Sequence, residues 1–385
     1  MGMRSRQATQ VAPSRFIGRV GGLAVALGIG TALAGAGMAT AQADSAADNL
    51  APNISVSAGG AGFSSGSAKA KTDKGGIAIA VGKNAKAEAT NGSGNRAVVI
   101  GNGSSATAKN GNNNRAIVIG NNSDGYAGDG NDNTVSIRGD KTKVRVSGGN
   151  KNTATVQGDE NLVSTGCMGR SSSSSAVHGC GGASDNNDNT VDVKGSRNIV
   201  VAGGAENEPE PGQMELRQGS GNAVSVSGDD NYASGMMGDQ NTVTVTGSRN
   251  TAHAIGSDNV ATVNGNDNKQ TADTPLGGAM ALGDGNTVTT AGDKNGAHAY
   301  GNGNAIGVNG NQNTAGAQGD GNVITVTGSG SQAWALGDQN ALTATGTGTT
   351  VVVGGDGIKA DGADGAVVSC EDSAAPGCSV NPAAP

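Results

Sequence analysis

The chain reads as an all-β protein, a parallel β-solenoid built from two-sided coils of 18 or 19 residues. Three observations carry that expectation. From Gly219 to Gly354 the sequence can be written in nines, as in GDQNTVTVT, GSRNTAHAI and GDGNVITVT. Gly opens each unit, Asn usually stands fourth, and the sixth and eighth residues are small and apolar. Second, Gly82, Gly101, Gly120, Gly139 and Gly158 fall 19 apart, while Gly283, Gly301, Gly319 and Gly337 fall 18 apart. Third, the nonapeptides alternate between two classes. One ends polar (TVTVT, VITVT, ALTAT); the other has smaller inward residues and often a large last one (TAHAI, GAHAY, QAWAL). A short fixed period marks a repeat architecture and overrides the two or three globular domains that 385 residues would otherwise suggest.

Each nonapeptide has a local physical reading. The block G-x-x-N is turn chemistry: Gly supplies positive φ without steric cost, and Asn tolerates the left-handed region and bonds nearby backbone. The five residues that follow alternate, as in Thr242-Val243-Thr244-Val245-Thr246, the signature of a strand with one buried face. Such a strand is too short to stand alone. Stacking coils at about 4.8 Å per rung gives it parallel neighbours and a continuous core. With aromatic residues only 2% of the chain, that core must be narrow and lined by Val, Ala and Ile. A slip of one residue would expose every Val, so the register is strongly specified.

Residues 1–43 read as a signal peptide: Arg4, Arg6, Arg15 and Arg19 precede an apolar run from Val20 to Met38, and Ala41-Gln42-Ala43 fits a cleavage site. The mature chain is then expected to be secreted, extracellular or on the cell surface, and not to span a membrane. Residues 44–72 are Ala/Ser/Gly-rich with weak periodicity, a linker and irregular N-terminal cap. The solenoid is expected over 73–354, interrupted by inserts at 167–184, 204–218 and 269–277, the last containing Pro275. Counting around them gives about thirteen coils, a rod on the order of 60 Å long at about 4.8 Å per rung. Residues 355–385 form a C-terminal cap and tail. The four cysteines pair most simply as Cys167 with Cys180 and Cys370 with Cys378, disulfides suited to an oxidising compartment.

Composition narrows function by exclusion. A net charge of −7 with no basic cluster argues against nucleic acid. No cofactor is implied: the GxGxxG matches are by-products of the turn repeat and lack a following helix. Asp239, Asp284, Asp320 and Asp338 recur at the second position of the turn and suggest calcium, but the calcium-binding RTX repeat places Asp sixth, where this chain is apolar. His253 and His298 stand two coils apart, at about 10 Å, too far to share a metal by themselves, and read as solvent-facing. No nucleophile, base and acid can be assembled, so the chain is not expected to be an enzyme.

Two arrays remain. Asn222, Asn241, Asn259, Asn286, Asn304, Asn322 and Asn340 would stack as a structural Asn ladder. Thr242, Thr244, Thr246, Thr262, Thr289, Thr325 and Thr343 form a candidate binding face of regularly spaced hydroxyl and methyl groups, similar to the surfaces of β-solenoid ice-binding proteins. Trp334 and Tyr300 lie on the opposite face.

The stretch NRAVVIGNGSSATAKNGNNNRAIVIG, Asn95 to Gly120, resembles the head repeats of YadA-type trimeric autotransporter adhesins, with their x-A-x-x-I-G and A-x-A pattern. The resemblance is clear over about 75–158. It implies a left-handed roll, a trimer and an adhesive role. The function expected is therefore a secreted or cell-surface structural and adhesive protein without catalytic activity, with cell-surface glycans, proteins or further copies as partners. The alternatives are an ice-binding protein using the Thr face and a polysaccharide-binding or polysaccharide-active β-helix.

Overall fold

The computed structural model describes residues 53–73, 75–166, 168–170, 177–178, 186–206, 219–269, 277–371 and 378–380. The expected signal peptide and the pair Cys167–Cys180 lie outside them. The described residues form a parallel β-solenoid with two main sheets, of 17 and 15 strands. We call these the first and second faces. Three strands of the first face run antiparallel and belong to the ends, which leaves 14 coils against the thirteen counted from the sequence.

The strand Thr242–Thr246 shows the construction. It pairs in parallel with Ala223–Ser227 behind and Val260–Asn264 ahead, Val243 between Val224 and Ala261 and Val245 between Val226 and Val263. Val243 and Val245 are fully buried, while Thr242 and Thr246 are exposed. Second-face strands insert smaller residues from the other side, as Ala252 and Ala254 do in Thr251–Ile255. Size is matched across the core. A Cβ added to Gly125 would lie 2.7 Å from Val118 and 3.1 Å from Val135, so the larger first-face residues occupy the space that Gly leaves.

Between coils the register is held by the turns. Buried Asn241 accepts the backbone N–H of Asn259 through Oδ1 at 3.2 Å, and the same bond recurs along Asn222, Asn241, Asn259, Asn286, Asn304, Asn322 and Asn340. Each Nδ2 donates to a turn Gly carbonyl, as Asn304 does to Gly319 at 2.8 Å. The ladder thus runs mainly from amide oxygen to backbone N–H, with amide-to-amide bonds at some rungs only, as between Asn322 and Asn304 at 3.0 Å. A second ladder precedes the second face, starting with hydroxyls at Ser104, Ser123 and Thr142 and continuing through Asn198, Asn231 and Asn250. The second-position carboxylates bridge coils in the same way, and Asp338 accepts the N–H of Asp320 at 2.8 Å.

The fourth-position Asn is not the left-handed residue of the turn. That role falls to the opening Gly and to the third position, where Gln240 has φ 60° and Lys294 φ 57°. The opening Gly is required twice over. At Gly310, φ is 118° and a Cβ would sit 1.7 Å from the carbonyl oxygen of Gly328 in the next coil.

The inserts appear as register steps. Val163 pairs with Val200, 37 residues on, Val200 with Ala233, 33 on, and Ala252 with Ala279, 27 on, in place of 18 or 19. Strands resume in phase after each, because only in-phase strands bury their apolar residues. Described residues beside the first two, Met168–Arg170, Val177–His178 and Ala205–Glu206, form a small third sheet.

Both ends differ from a plain coil. Residues 54–72 are ordered strand, not irregular chain. Ile54–Ala58 lies antiparallel on Ile77–Val81 and folds back on Ala61–Ser65, before Lys69–Thr72 opens the second face. At the other end Cys378–Val380 lies antiparallel on Ile358–Gly362, and a Cys370–Cys378 disulfide ties it to the last second-face strand. Period-2 patterning is weak in such caps because a closing strand buries one edge and has no coil beyond it to match.

Candidate functional site

The outward rows of the two faces are the surfaces on which a partner could act, and they differ. On the first face the register places Thr244, Thr262 and Thr289 in one column, preceded by Ser225. Gly307 then interrupts it before Thr325 and Thr343. Thr242 and Thr246 flank Thr244 but meet Val260 and Asn264 on the next rung, so the array is one column wide. Earlier on this face the exposed Ile100 and Ile119 stack in one column, while the exposed Ile77 shares the column at the opposite end of the strands with Arg96 and Arg115.

The second face divides in two. Its first five strands carry Lys69, Lys71, Lys86, Glu88, Lys109, Asp124, Lys143 and Arg145. There the Arg145 guanidinium stacks 4.4 Å above the Tyr126 ring, and the Tyr126 hydroxyl donates to Asp129 Oδ2 at 2.7 Å. Burial, followed by that hydrogen bond, raises the Tyr126 pKa. Burial also raises that of Asp124, against a hydrogen bond from Ser105.

From Leu162 to Gly354 the character changes. Nine successive second-face strands, LVSTG, IVVAG, YASGM, TAHAI, GAMAL, GAHAY, TAGAQ, QAWAL and TVVVG, contain no Asp, Glu, Lys or Arg. Their outward positions hold exposed Leu162, Ile199, Tyr232, Leu336 and Val352, from 36% to 49% exposed. Nine rungs of five residues cover on the order of 700 Å². Ser, Thr and Gln share that area with the apolar residues, as at Thr251, Thr314, Gln318 and Gln332, so the strip is uncharged and mixed in polarity.

The centre of this surface is a packed column at the seventh position: Ser234, His253, Met280, His298, Gly316, Trp334 and Val352 on consecutive rungs. His253 is half-buried and His298 is 3% exposed, so neither is the solvent-facing residue that its outward position suggested. Ser234 Oγ lies 2.7 Å from His253 Nδ1, and the Tyr232 ring packs 5.0 Å from the imidazole. Burial, with a smaller contribution from His298, lowers the His253 pKa to about 4, so the ring is neutral at physiological pH. The Tyr300 hydroxyl lies 3.6 Å from Met280 Sδ. The Trp334 ring lies over Gly316, where a Cβ would be 2.3 Å from it.

With the 269–277 insert taken out, the sequence register already sets Met280 on the rung between His253 and His298; what the alternation does not show is that the seventh position is buried at His298 and half-buried at His253 and Met280. The sequence pattern also hides a charge ladder at the third position of the turns before the second face. Lys141, Glu160, Arg197, Asp230, Arg249, Asp267 and Lys294 alternate in sign over seven coils. Arg197 holds Asp230 through two bonds, of 2.6 and 2.8 Å, and Lys141 meets Glu160 at 2.9 Å. Hydrogen bonds from these cations, and from Arg249 to Asp267, hold the carboxyls of Glu160, Asp230 and Asp267 below their ordinary values.

Among the described residues no helix is long and apolar enough to cross a membrane. Nor, among them, do three or more His, Cys, Asp or Glu side chains form a group that could hold a metal. Fold and surface together define the class, a two-faced parallel β-solenoid with a charge-free outward strip. No family model, curated protein or solved structure matches the chain.

Proposed function

We propose that the protein is a secreted or cell-surface structural and adhesive rod, non-catalytic, whose partner surface is the outward side of the second face from Leu162 to Gly354. The observation that supports this most is the run of nine rungs without a charged side chain, on a chain whose net charge is −7. The first five rungs of the same face do carry charges. The first-face strands from Ala223 to Thr347 are uncharged as well, but their outward positions hold mainly Thr, Ser and Asn, whereas the second face exposes Leu162, Ile199, Tyr232, Leu336 and Val352. An aligned, rigid strip bearing Tyr232, Trp334 and Leu336 can bury aromatic and aliphatic surface against a partner at little entropic cost, because a solenoid is already ordered. The signal-like first 43 residues and the resemblance of Asn95–Gly120 to adhesin head repeats point the same way. The partners that fit are cell-surface glycans or proteins, or other copies of the chain. Purified mature protein should bind cells or immobilised glycans saturably, and an inert protein in both assays overturns the reading.

Ice binding is the second reading, favoured by the Thr244–Thr262–Thr289 column. Its breadth of one column and the break at Gly307 count against it. Thermal hysteresis that disappears in Thr244→Tyr would establish it.

A further inference from the structure

We propose that the column His253–Met280–His298 is a binding site for a soft monovalent d10 cation, copper(I) or silver(I). The two histidines alone are too far apart, with Cα atoms about 10 Å from each other across two rungs. The register changes this by setting Met280 on the rung between them, its Cα paired with both. All three side chains leave the same side of the sheet. Met280, with its thioether on three rotatable bonds, thus stands one rung, about 4.8 Å, from each histidine.

The donor set is neutral and soft: two ring nitrogens and one sulfur, with no carboxylate in any neighbouring second-face strand. Thioether and imidazole ligands suit copper(I), whereas calcium and magnesium require oxygen ligands and zinc sites usually complete a tetrahedron with thiolates, further imidazoles or a carboxylate. The surroundings are those of a built site. Ser234 Oγ lies 2.7 Å from His253 Nδ1 and orients the ring; in the tautomer whose Nδ1–H donates to this hydroxyl, Nε2 is the ligating nitrogen, the usual outer-shell arrangement for a metal-binding imidazole. The Tyr300 hydroxyl takes one sulfur lone pair of Met280 and leaves the other. His298 is shielded from water, and the Trp334 ring lies over Gly316 on the rung that follows. Gly316 is the residue that makes room for that ring.

The test exploits Trp334 being the single tryptophan of the chain. Full-length mature protein, oxidised and with any free thiols alkylated, is titrated anaerobically with copper(I) against the chromophoric chelator bicinchoninate, and separately with silver(I). The expected result is one equivalent bound and quenching of tryptophan fluorescence. Met280→Leu, which conserves volume, and His298→Gln should each weaken binding at least tenfold with unchanged far-UV circular dichroism, and zinc(II) should leave the fluorescence unaltered. Failure of wild type to compete at micromolar copper(I), or equal binding by a folded Met280→Leu variant, overturns the proposal. Neither outcome bears on adhesion, which is read by a different assay.

Discussion

Replacing Asn304 by alanine removes five side-chain hydrogen bonds from a residue that is 1% exposed, the two weakest being those from Nδ2 to Asn286 Oδ1 at 3.1 Å and to the Tyr300 carbonyl at 3.4 Å. Its Oδ1 accepts the Asn322 backbone N–H at 2.9 Å and the Asn322 amide at 3.0 Å, and its Nδ2 donates to the Gly319 carbonyl at 2.8 Å. The bond from the Asn304 backbone N–H to Asn286 Oδ1, 2.9 Å, survives the substitution. At least two buried groups, the Asn322 N–H and the Gly319 carbonyl, therefore lose a partner that alanine cannot replace. At roughly 1–3 kcal/mol for each, the loss is about 2–6 kcal/mol. Because each coil touches only its neighbours, the damage should concentrate in coils 286–340. Urea denaturation followed by circular dichroism should show a lowered midpoint, and native-state hydrogen exchange should show lost protection at Asn322. Exposed Thr325→Ala serves as the control and should change stability by no more than about 0.5 kcal/mol. A loss below about 1 kcal/mol for Asn304→Ala, with Asn322 still protected, would refute the claim that the amide ladder holds the coils in register.

Other substitutions probe other parts of the stack. Gly310→Ala forces a Cβ to within 1.7 Å of the Gly328 carbonyl at a φ of 118°, so the variant should be destabilised by at least about 3 kcal/mol or fail to fold, measured as soluble yield and urea midpoint. Thr290 buries a hydroxyl with no hydrogen-bond partner at a core position between Val263 and Val308; Thr290→Val should raise the thermal midpoint, by about 1 kcal/mol of stability. Protonation gives a pH signature. With the folded pKa of His253 near 4 against 6.5 for an ordinary imidazole, the unfolded chain binds the proton more readily in between. Stability should therefore fall by about 3 kcal/mol as pH drops from 6.5 to 4 and gain nothing from His253 below that. Glu160, Asp230 and Asp267, held low by their cations, add their losses at more acid pH. Thermal midpoints recorded against pH should show the His253 step in wild type and not in His253→Gln.

What could be read in advance follows from what the repeat encodes. The 18- and 19-residue spacing of Gly and the alternation of Val with Thr specify coil length, strand register and which residues enter the core, because each depends on sequence-local chemistry repeated many times. The amide ladder was legible for the same reason: identical residues at one phase of a fixed period must stack. The caps were not. Ile54–Ala58 and Cys378–Val380 pair antiparallel at the ends of the stack, so no second copy of their pattern exists to reveal them. The left-handed third position is not legible because Gln240, Lys294 and Arg249 occupy it without a shared residue type; only the backbone imposes it. The burial of the His253–Met280–His298 column stayed hidden for a geometric reason. Strand alternation assigns the seventh position to the outward side, and the burial of His298 there, at 3% exposed, does not follow from that alternation.

The claim that the partner surface is the charge-free half of the second face is tested most directly by placing charge on one face at a time. Leu336→Glu with Val352→Glu alters the second face at exposed positions two and three rungs beyond His298, and Thr325→Glu with Thr343→Glu alters the first face at the same height of the rod. Binding of each purified, folded variant to the cells or glycans that wild type recognises should fall at least tenfold for the second-face pair and stay near wild type for the first-face pair. Equal binding by both variants, or a loss confined to the threonine pair, would contradict the assignment.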